Sequence, residues 1–257
     1  MAVMNVKVAR GFKTGTRINT IEVPTELRVK HTSGIDWVDT ALGGEGFTPT
    51  VTMMLTGGPG TGKSTLLRML ANSLTAAGHL VLYNTGEESL FQAKLSCERL
   101  QLTQNFMVGE DTQLPKLLAF MNDLRDVAKA AGKQVFLLQD SLQTLNDGKY
   151  ADGGTTSKTP VRCVEALVDW MQENFGICVF VGQVTKGDDF KGDNTIRHVI
   201  DVHAHMWYDT KEKSDTYGCL LFEVSKNRWG SCGATHILQL GVTGIVEQGH
   251  IERVRAN

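Results

Sequence analysis

The stretch Gly57-Gly58-Pro59-Gly60-Thr61-Gly62-Lys63-Ser64-Thr65 constrains this chain more than any other. It matches G-x-x-x-x-G-K-[ST] in full. In that pattern the glycines let backbone N–H groups turn inward around phosphate oxygens. The helix that follows points its orphan N–H groups and its dipole at the same anion. The flanks suit this reading: an apolar strand at 51–55 precedes the loop, and an amphipathic helix at 63–76 follows it. Gly58, Pro59, Gly60, Thr61, Gly62, Lys63, Ser64 and Thr65 are therefore expected to hold ATP. Lys63 is expected to reach the β- and γ-phosphates, and the Ser64 hydroxyl to ligate Mg²⁺.

A phosphate loop of this kind needs a strand–loop–helix architecture around it, and the downstream pattern supplies one. Strands are expected at 80–83, 106–108, 135–138 and 177–181, with helices at 88–100, 114–131 and 160–174 between them. Leu117, Leu118, Met121, Leu124 and Val127 recur at helical spacing, and Pro160 suits a helix's first turn. Beyond a second polar loop at 186–194, segments 200–208, 217–224 and 235–240 read as successive strands with no helix between them. The fold class is α/β: a mostly parallel sheet flanked by helices, with an antiparallel C-terminal extension.

Hydrolysis needs acidic groups beside the phosphate loop. The apolar run Val135-Phe136-Leu137-Leu138-Gln139 ends in Asp140, the form of a Walker B strand, so Asp140 is expected to hold Mg²⁺ through water. Glu87 and Glu88 follow the strand at 80–83. Ligands of open parallel sheets bind at the carboxyl ends of strands, so either glutamate can orient or deprotonate the attacking water. Glu87 is the preferred base, whereas Glu88 better suits the first turn of the next helix. Gln183, just past the strand at 177–181, is placed to hydrogen-bond the γ-phosphate and respond to its loss.

Charge and cysteine usage narrow the setting. The net charge of −2 excludes a protein that coats its whole surface with nucleic acid. Residues 1–30 nevertheless carry Lys7, Arg10, Lys13, Arg17, Arg28 and Lys30 against Glu22 and Glu26, so a basic arm (1–30) is expected to precede a core domain (31–257). The five cysteines show no C-x-x-C pair; Cys178 and Cys219 read as core thiols. His203 and His205 share a strand face, but without further ligands they read as structural. No apolar run approaches the ~20 residues of a membrane span, and residues 1–10 lack a signal-peptide core. The expectation is a cytoplasmic protein without a membrane partner.

Further motifs resemble those of one family. Thr32-Ser33-Gly34-Ile35-Asp36 with Leu42-Gly43-Gly44, Thr85-Gly86-Glu87-Glu88-Ser89, Gln92-Ala93-Lys94-Leu95 with Glu98-Arg99-Leu100, Asp140-Ser141-Leu142-Gln143-Thr144, Val184-Thr185-Lys186 and Lys226-Asn227-Arg228-Trp229-Gly230 occur in order over about residues 28–246. Together they resemble the RecA-fold ATPase core of the bacterial RadA/Sms DNA-repair proteins, relatives of DnaB helicases and KaiC. That resemblance implies a RecA-like core and a homo-oligomer, a hexameric ring or alternatively a filament, with ATP hydrolysed between subunits. It also implies that Lys226 and Arg228 reach a neighbour's nucleotide, where an inserted arginine is worth roughly 10³–10⁵ in rate. The chain departs from the family in lacking its four-cysteine zinc finger and the length for its Lon-like domain. It also has Gln183 where the family commonly has His, and Trp229 where it has Phe.

In RecA-like proteins two loops face the central channel and contact DNA. Here they correspond to about residues 146–159 and 186–197, and the residues expected to touch single-stranded DNA are Lys149, Tyr150, Lys158, Lys186, Lys191 and Arg197. The first loop, extended to Arg162, nets +1 and the second 0, so charge by itself does not demand DNA. Three functions follow: a DNA-dependent motor or recombination ATPase, a KaiC-like regulatory ATPase with a protein partner, or a small-molecule kinase.

Overall fold

The computed structural model describes residues 13–150, 153–183, 194–232 and 234–252. Among these residues one nine-stranded sheet forms in the order β3-β2-β4-β5-β1-β6-β7-β8-β9. The parallel part comprises β1 (Thr52–Gly57), β2 (Leu80–Thr85), β3 (Met107–Gly109), β4 (Val135–Asp140), β5 (Ile177–Gln183) and β6 (Val202–Tyr208). The antiparallel extension comprises β7 (Leu220–Asn227), β8 (Ala234–Gly241) and β9 (Gly244–Glu252).

The period-2 geometry of strands sorts the apolar residues into two cores. Met53, Leu55, Phe136, Leu138, Val179 and Val181 face one way, towards α1 (Asp36–Ala41) and α2 (Lys63–Ala76). Met54, Val135, Leu137, Cys178 and Phe180 face the other, towards α4 (Leu114–Ala131), α5 (Thr159–Asn174) and α6 (Asn194–Val199). Both faces of the central strands are covered, which is why these strands read as continuous apolar runs.

The main helices lie where periodicity predicts them, with informative differences at the edges. α3 (Leu90–Arg99) starts two residues later than expected, because Ser89 is its N-cap in a reciprocal capping box with Gln92. α6 occupies the end of the stretch expected to be loop, and β6 begins only at Val202. α1 and α6 span six residues each, too few for a clear 3.6-residue period. β9 has no counterpart in the strands that the sequence predicts; most of its length is at least partly exposed, so it carries no apolar run. Cys178 is fully buried as expected, but Cys219 is only partly buried. No helix among the described residues is long and apolar enough to cross a membrane.

Candidate active site

The parallel strands end at one edge of the sheet and deliver three motifs there. β1 runs into the phosphate loop; Thr85 of β2 lies in register with Asp140 of β4, and the Gly86 N–H donates to the Asp140 carbonyl at 2.8 Å. Glu87 therefore emerges one residue beyond a fixed backbone contact with the Walker B strand.

Within the phosphate loop, Gly62 is the N-cap of α2 and takes φ +88°, and a Cβ there would meet Leu240 and Ile245 at 3.2 Å. Glycine thus lets the β8–β9 hairpin pack directly on the loop. The Thr61 hydroxyl donates to the Gly58 carbonyl at 2.9 Å. Lys63 Nζ donates to the carbonyls of Gly57 and Gly58 at 2.9 and 2.7 Å, so its ammonium sits at the mouth of the loop. Burial lowers the Lys63 pKa, while the carboxylates of Asp140 and Glu87 act in the opposite sense.

Asp140 is 3% exposed. Its Oδ2 accepts from the Tyr83 hydroxyl at 3.1 Å, and its buried Oδ1 has no hydrogen-bond partner among the described residues. Burial raises its pKa, opposed by the Ser64 hydroxyl; Glu87 raises it further. A buried carboxylate beside a serine hydroxyl suits a hard cation that takes oxygen ligands. The residues present fit Mg²⁺, which Ser64 would ligate directly and Asp140 would hold through water.

The two glutamates diverge. Glu87 accepts a hydrogen bond from the Ser141 hydroxyl. Glu88 is ion-paired with Arg68, a buried residue of α2, and its Oε1 also lies 3.2 Å from the Tyr83 hydroxyl. The Arg68 guanidinium also lies 5.4 Å from the Tyr83 ring centroid. Glu88 does not cap the next helix, a role that Ser89 takes; instead it neutralises a buried cation.

A polar layer outside the recognised motifs lies behind these groups. Asn84 donates to Gln139 at 2.7 Å and to the Asp111 carbonyl, and Gln139 donates to the Ser141 carbonyl. A Cβ on Gly86 would fall 2.3 Å from Thr144 Oγ1, so the Gly86-Glu87-Glu88-Ser89 and Asp140-Ser141-Leu142-Gln143-Thr144 motifs fit together only without a side chain there. Asn84 in β2 and Gln139 in β4, polar residues inside apolar strands, are the sequence signal for this layer.

Lys226 and Arg228 both turn to the C-terminus of α6. Lys226 Nζ donates to the carbonyls of Arg197 and Ile200 at 2.7 and 2.6 Å; Arg228 donates to the His198 carbonyl at 2.7 Å and pairs with Asp201 at 3.3 Å. Two cations on the last carbonyls of a helix are favourable. Asn227 and Gly230 pack on the Leu42 carbonyl, joining this motif to Leu42-Gly43-Gly44.

Next to this cluster, Thr56 Oγ1 lies 2.9 Å from both His203 Nε2 and His205 Nδ1, and His203 Nδ1 lies 2.7 Å from Ser225. Burial, with the Arg197, His205 and Lys226 charges, lowers the His203 pKa from 6.5 to about 4. With the folded pKa below the unfolded one, the stability due to neutral His203 is present above pH 6.5 and is lost as pH falls towards 4. A difference of that size corresponds to about 3 kcal/mol. Denaturant unfolding without nucleotide should show wild type losing about that much more stability than His203→Gln across this window. Parallel losses in the two proteins would refute the assignment.

Among the loop residues expected to touch DNA, Tyr150 is partly exposed, with Lys149 Nζ and the Arg162 guanidinium each 5.9 Å from its ring centroid. Arg162 is ion-paired with Asp147. Lys158 is the exposed N-cap of α5. Arg197 lies on α6, with Nη2 3.4 Å from His203 Nδ1. Lys186 and Lys191 lie outside the described residues, as do Val184 and Thr185 and the side chain of Gln183, the last residue of β5.

No family model matches the chain. The DNA repair protein RadA of Mycobacterium tuberculosis is 32% identical over 227 residues, covering 85% of this chain and 44% of that protein. The DNA repair protein RadA of Streptococcus pneumoniae is 31% identical over 250 residues, covering 95% of this chain and 56% of that protein. The chain spans about half the length of the curated relatives it matches. Among solved structures, a DnaB-like replicative helicase superposes with a TM-score of 0.71 at 13% identity, over 83% of this chain and 61% of that one. A KaiC-like protein from Pyrococcus horikoshii superposes with a TM-score of 0.65 at 17% identity, over 85% and 98%. At these identities the structural likeness is one of fold.

Proposed function

Given that this chain is a RadA-like ATPase of the RecA fold, we propose that it hydrolyses ATP with Mg²⁺ between subunits of a homo-oligomer, a hexameric ring in the favoured form, and acts on single-stranded DNA. The observation that carries the hydrolytic reading is the meeting of Lys63, Asp140 and Glu87 at one sheet edge, where each carboxylate acts on the Lys63 charge. In this reading the phosphate loop and Lys63 bind and orient the phosphates. Mg²⁺ held by Ser64 and Asp140 supplies charge neutralisation. Glu87, held by Ser141, orients the water and takes its proton. Gln183 responds to the γ-phosphate, and Lys226 and Arg228 serve the neighbouring subunit's nucleotide.

The DNA reading rests on the RadA relatives and on the exposed Tyr150 ring with the Lys149 and Arg162 cations nearby, since a base can stack on such a ring. The second reading, a regulatory ATPase with a protein partner, is favoured by the small net charge of the two loops. The deciding measurement is ATP turnover with and without single-stranded DNA at rising salt, paired with the mass of the ATP-bound assembly. DNA stimulation that fades with salt and a six-chain mass are expected. Turnover indifferent to DNA would favour the protein partner.

The interface role has its own test. Arg228→Ala alone should retain nucleotide binding and lose turnover. Mixing it with Lys63→Ala should restore activity, because some interfaces then combine an intact phosphate loop with an intact arginine. No recovery on mixing would confine Arg228 to its contacts with its own α6.

A further inference from the structure

We propose that His236, Glu247 and His250 form a binding site for Zn²⁺ on the antiparallel extension, apart from the nucleotide site. The site is built by a β-bulge. His236 of β8 lies directly opposite His250 of β9, whereas Ile237 pairs with Gly249 and Leu238 with Glu247, leaving Gln248 as the extra residue. In a regular strand, residues three apart point to opposite faces. The bulge returns Glu247 to the face of His250 and His236, so three ligand side chains converge from two strands.

Their geometry suits a small cation. His236 Nδ1 and His250 Nδ1 lie 2.7 and 3.6 Å from the same Glu247 Oε1, and one ligand atom from each residue falls within 4.8 Å of the others. Zn²⁺ bonds of about 2.0–2.2 Å place tetrahedral ligands roughly 3.4 Å apart, within reach of these separations. Two imidazoles and a carboxylate form a nitrogen and oxygen donor set that zinc accepts while keeping a fourth position for water. Solvent access exists, since the His250 side chain is 45% exposed.

His236 fixes the inner wall. It is fully buried, packed at 6.2 Å from the Trp37 ring centroid and 6.4 Å from that of Phe222, and its Nε2 has no hydrogen-bond partner among the described residues. With Nδ1–H donating to Glu247, Nε2 is a buried acceptor without a donor. With Nδ1 on zinc, the proton resides on Nε2 instead. The tautomer exchange leaves one buried ring nitrogen unsatisfied in either state, so metal binding adds no such penalty. The other end of the hairpin carries Ile245, which packs against Gly62 of the phosphate loop and whose N–H faces Met69 of α2. A metal across β8 and β9 therefore stiffens the element that covers the start of α2.

The test uses the full chain, stripped with EDTA and titrated with Co²⁺ in excess Mg²⁺ without nucleotide. Tetrahedral Co²⁺ d–d bands saturating at one ion per chain, and displaced by Zn²⁺, are expected. His250→Ala alters a half-exposed side chain and should fold normally yet weaken binding roughly tenfold or more. Glu247→Gln should do likewise. Zn²⁺ should raise the Tm of wild type but not of His250→Ala. Absence of saturable d–d bands, equal binding by wild type and His250→Ala, or strong thiolate charge-transfer bands from cysteine ligation would each overturn the proposal.

Discussion

Lys63→Ala should abolish ATP turnover while leaving the fold intact. The Lys63 ammonium is half-buried at the mouth of the phosphate loop, held by the Gly57 and Gly58 carbonyls and facing the carboxylates of Asp140 and Glu87. No other cation in the loop can replace it at the β- and γ-phosphates. Removing one preorganised charge from such a site costs about 10²–10³ in rate, and more where the same group also binds the ground state. Because burial disfavours the charged lysine, its removal should not destabilise the chain. Turnover and nucleotide affinity of the purified variant are the measurements; wild-type turnover would refute the site.

The second large effect separates the adjacent glutamates. Glu87→Gln keeps the size and a hydrogen-bonding group beside Ser141 but removes the base. Turnover should fall about 10²–10⁴-fold with nucleotide binding and stability little changed. Glu88→Ala strands Arg68, a residue 5% exposed, without its carboxylate. Breaking a buried ion pair from one side costs about 3–5 kcal/mol, a fall of roughly 10 °C in Tm for a domain of this size. Turnover per folded molecule should survive better than in Glu87→Gln. If Glu88→Ala instead left stability unchanged and eliminated turnover, the two roles would have to be exchanged.

The legible parts share a physical origin. The bounds of α2 and α4 follow from amphipathic periodicity with Gly78 and Gly132 just past their ends, and are as the sequence predicts. The phosphate loop is local chemistry: glycines, a lysine and a hydroxyl adjacent in the chain, needing only a strand before and a helix after. Asp140 could be expected because a buried parallel strand leaves a continuous apolar run whose end stands out. Less was legible where the signal is short or solvated. Six residues cannot display a helical period, so α6 merged with its neighbours, and the exposed β9 has no run to mark it.

Sequence by itself therefore determined the fold class, the phosphate loop and the carboxylates competent to serve it, because periodicity and motif spacing are properties of neighbouring residues. Tertiary structure alone decided which partner each group has. It set Glu88 against Arg68, twenty residues away, and left Glu87 to Ser141. It turned Lys226 and Arg228 onto α6 and fitted Gly86 against Thr144. Through one extra residue in β9, it gathered two histidines and a glutamate on a single face. These pairings depend on strand order and register, which bring together residues far apart in the chain and leave no periodic trace in it.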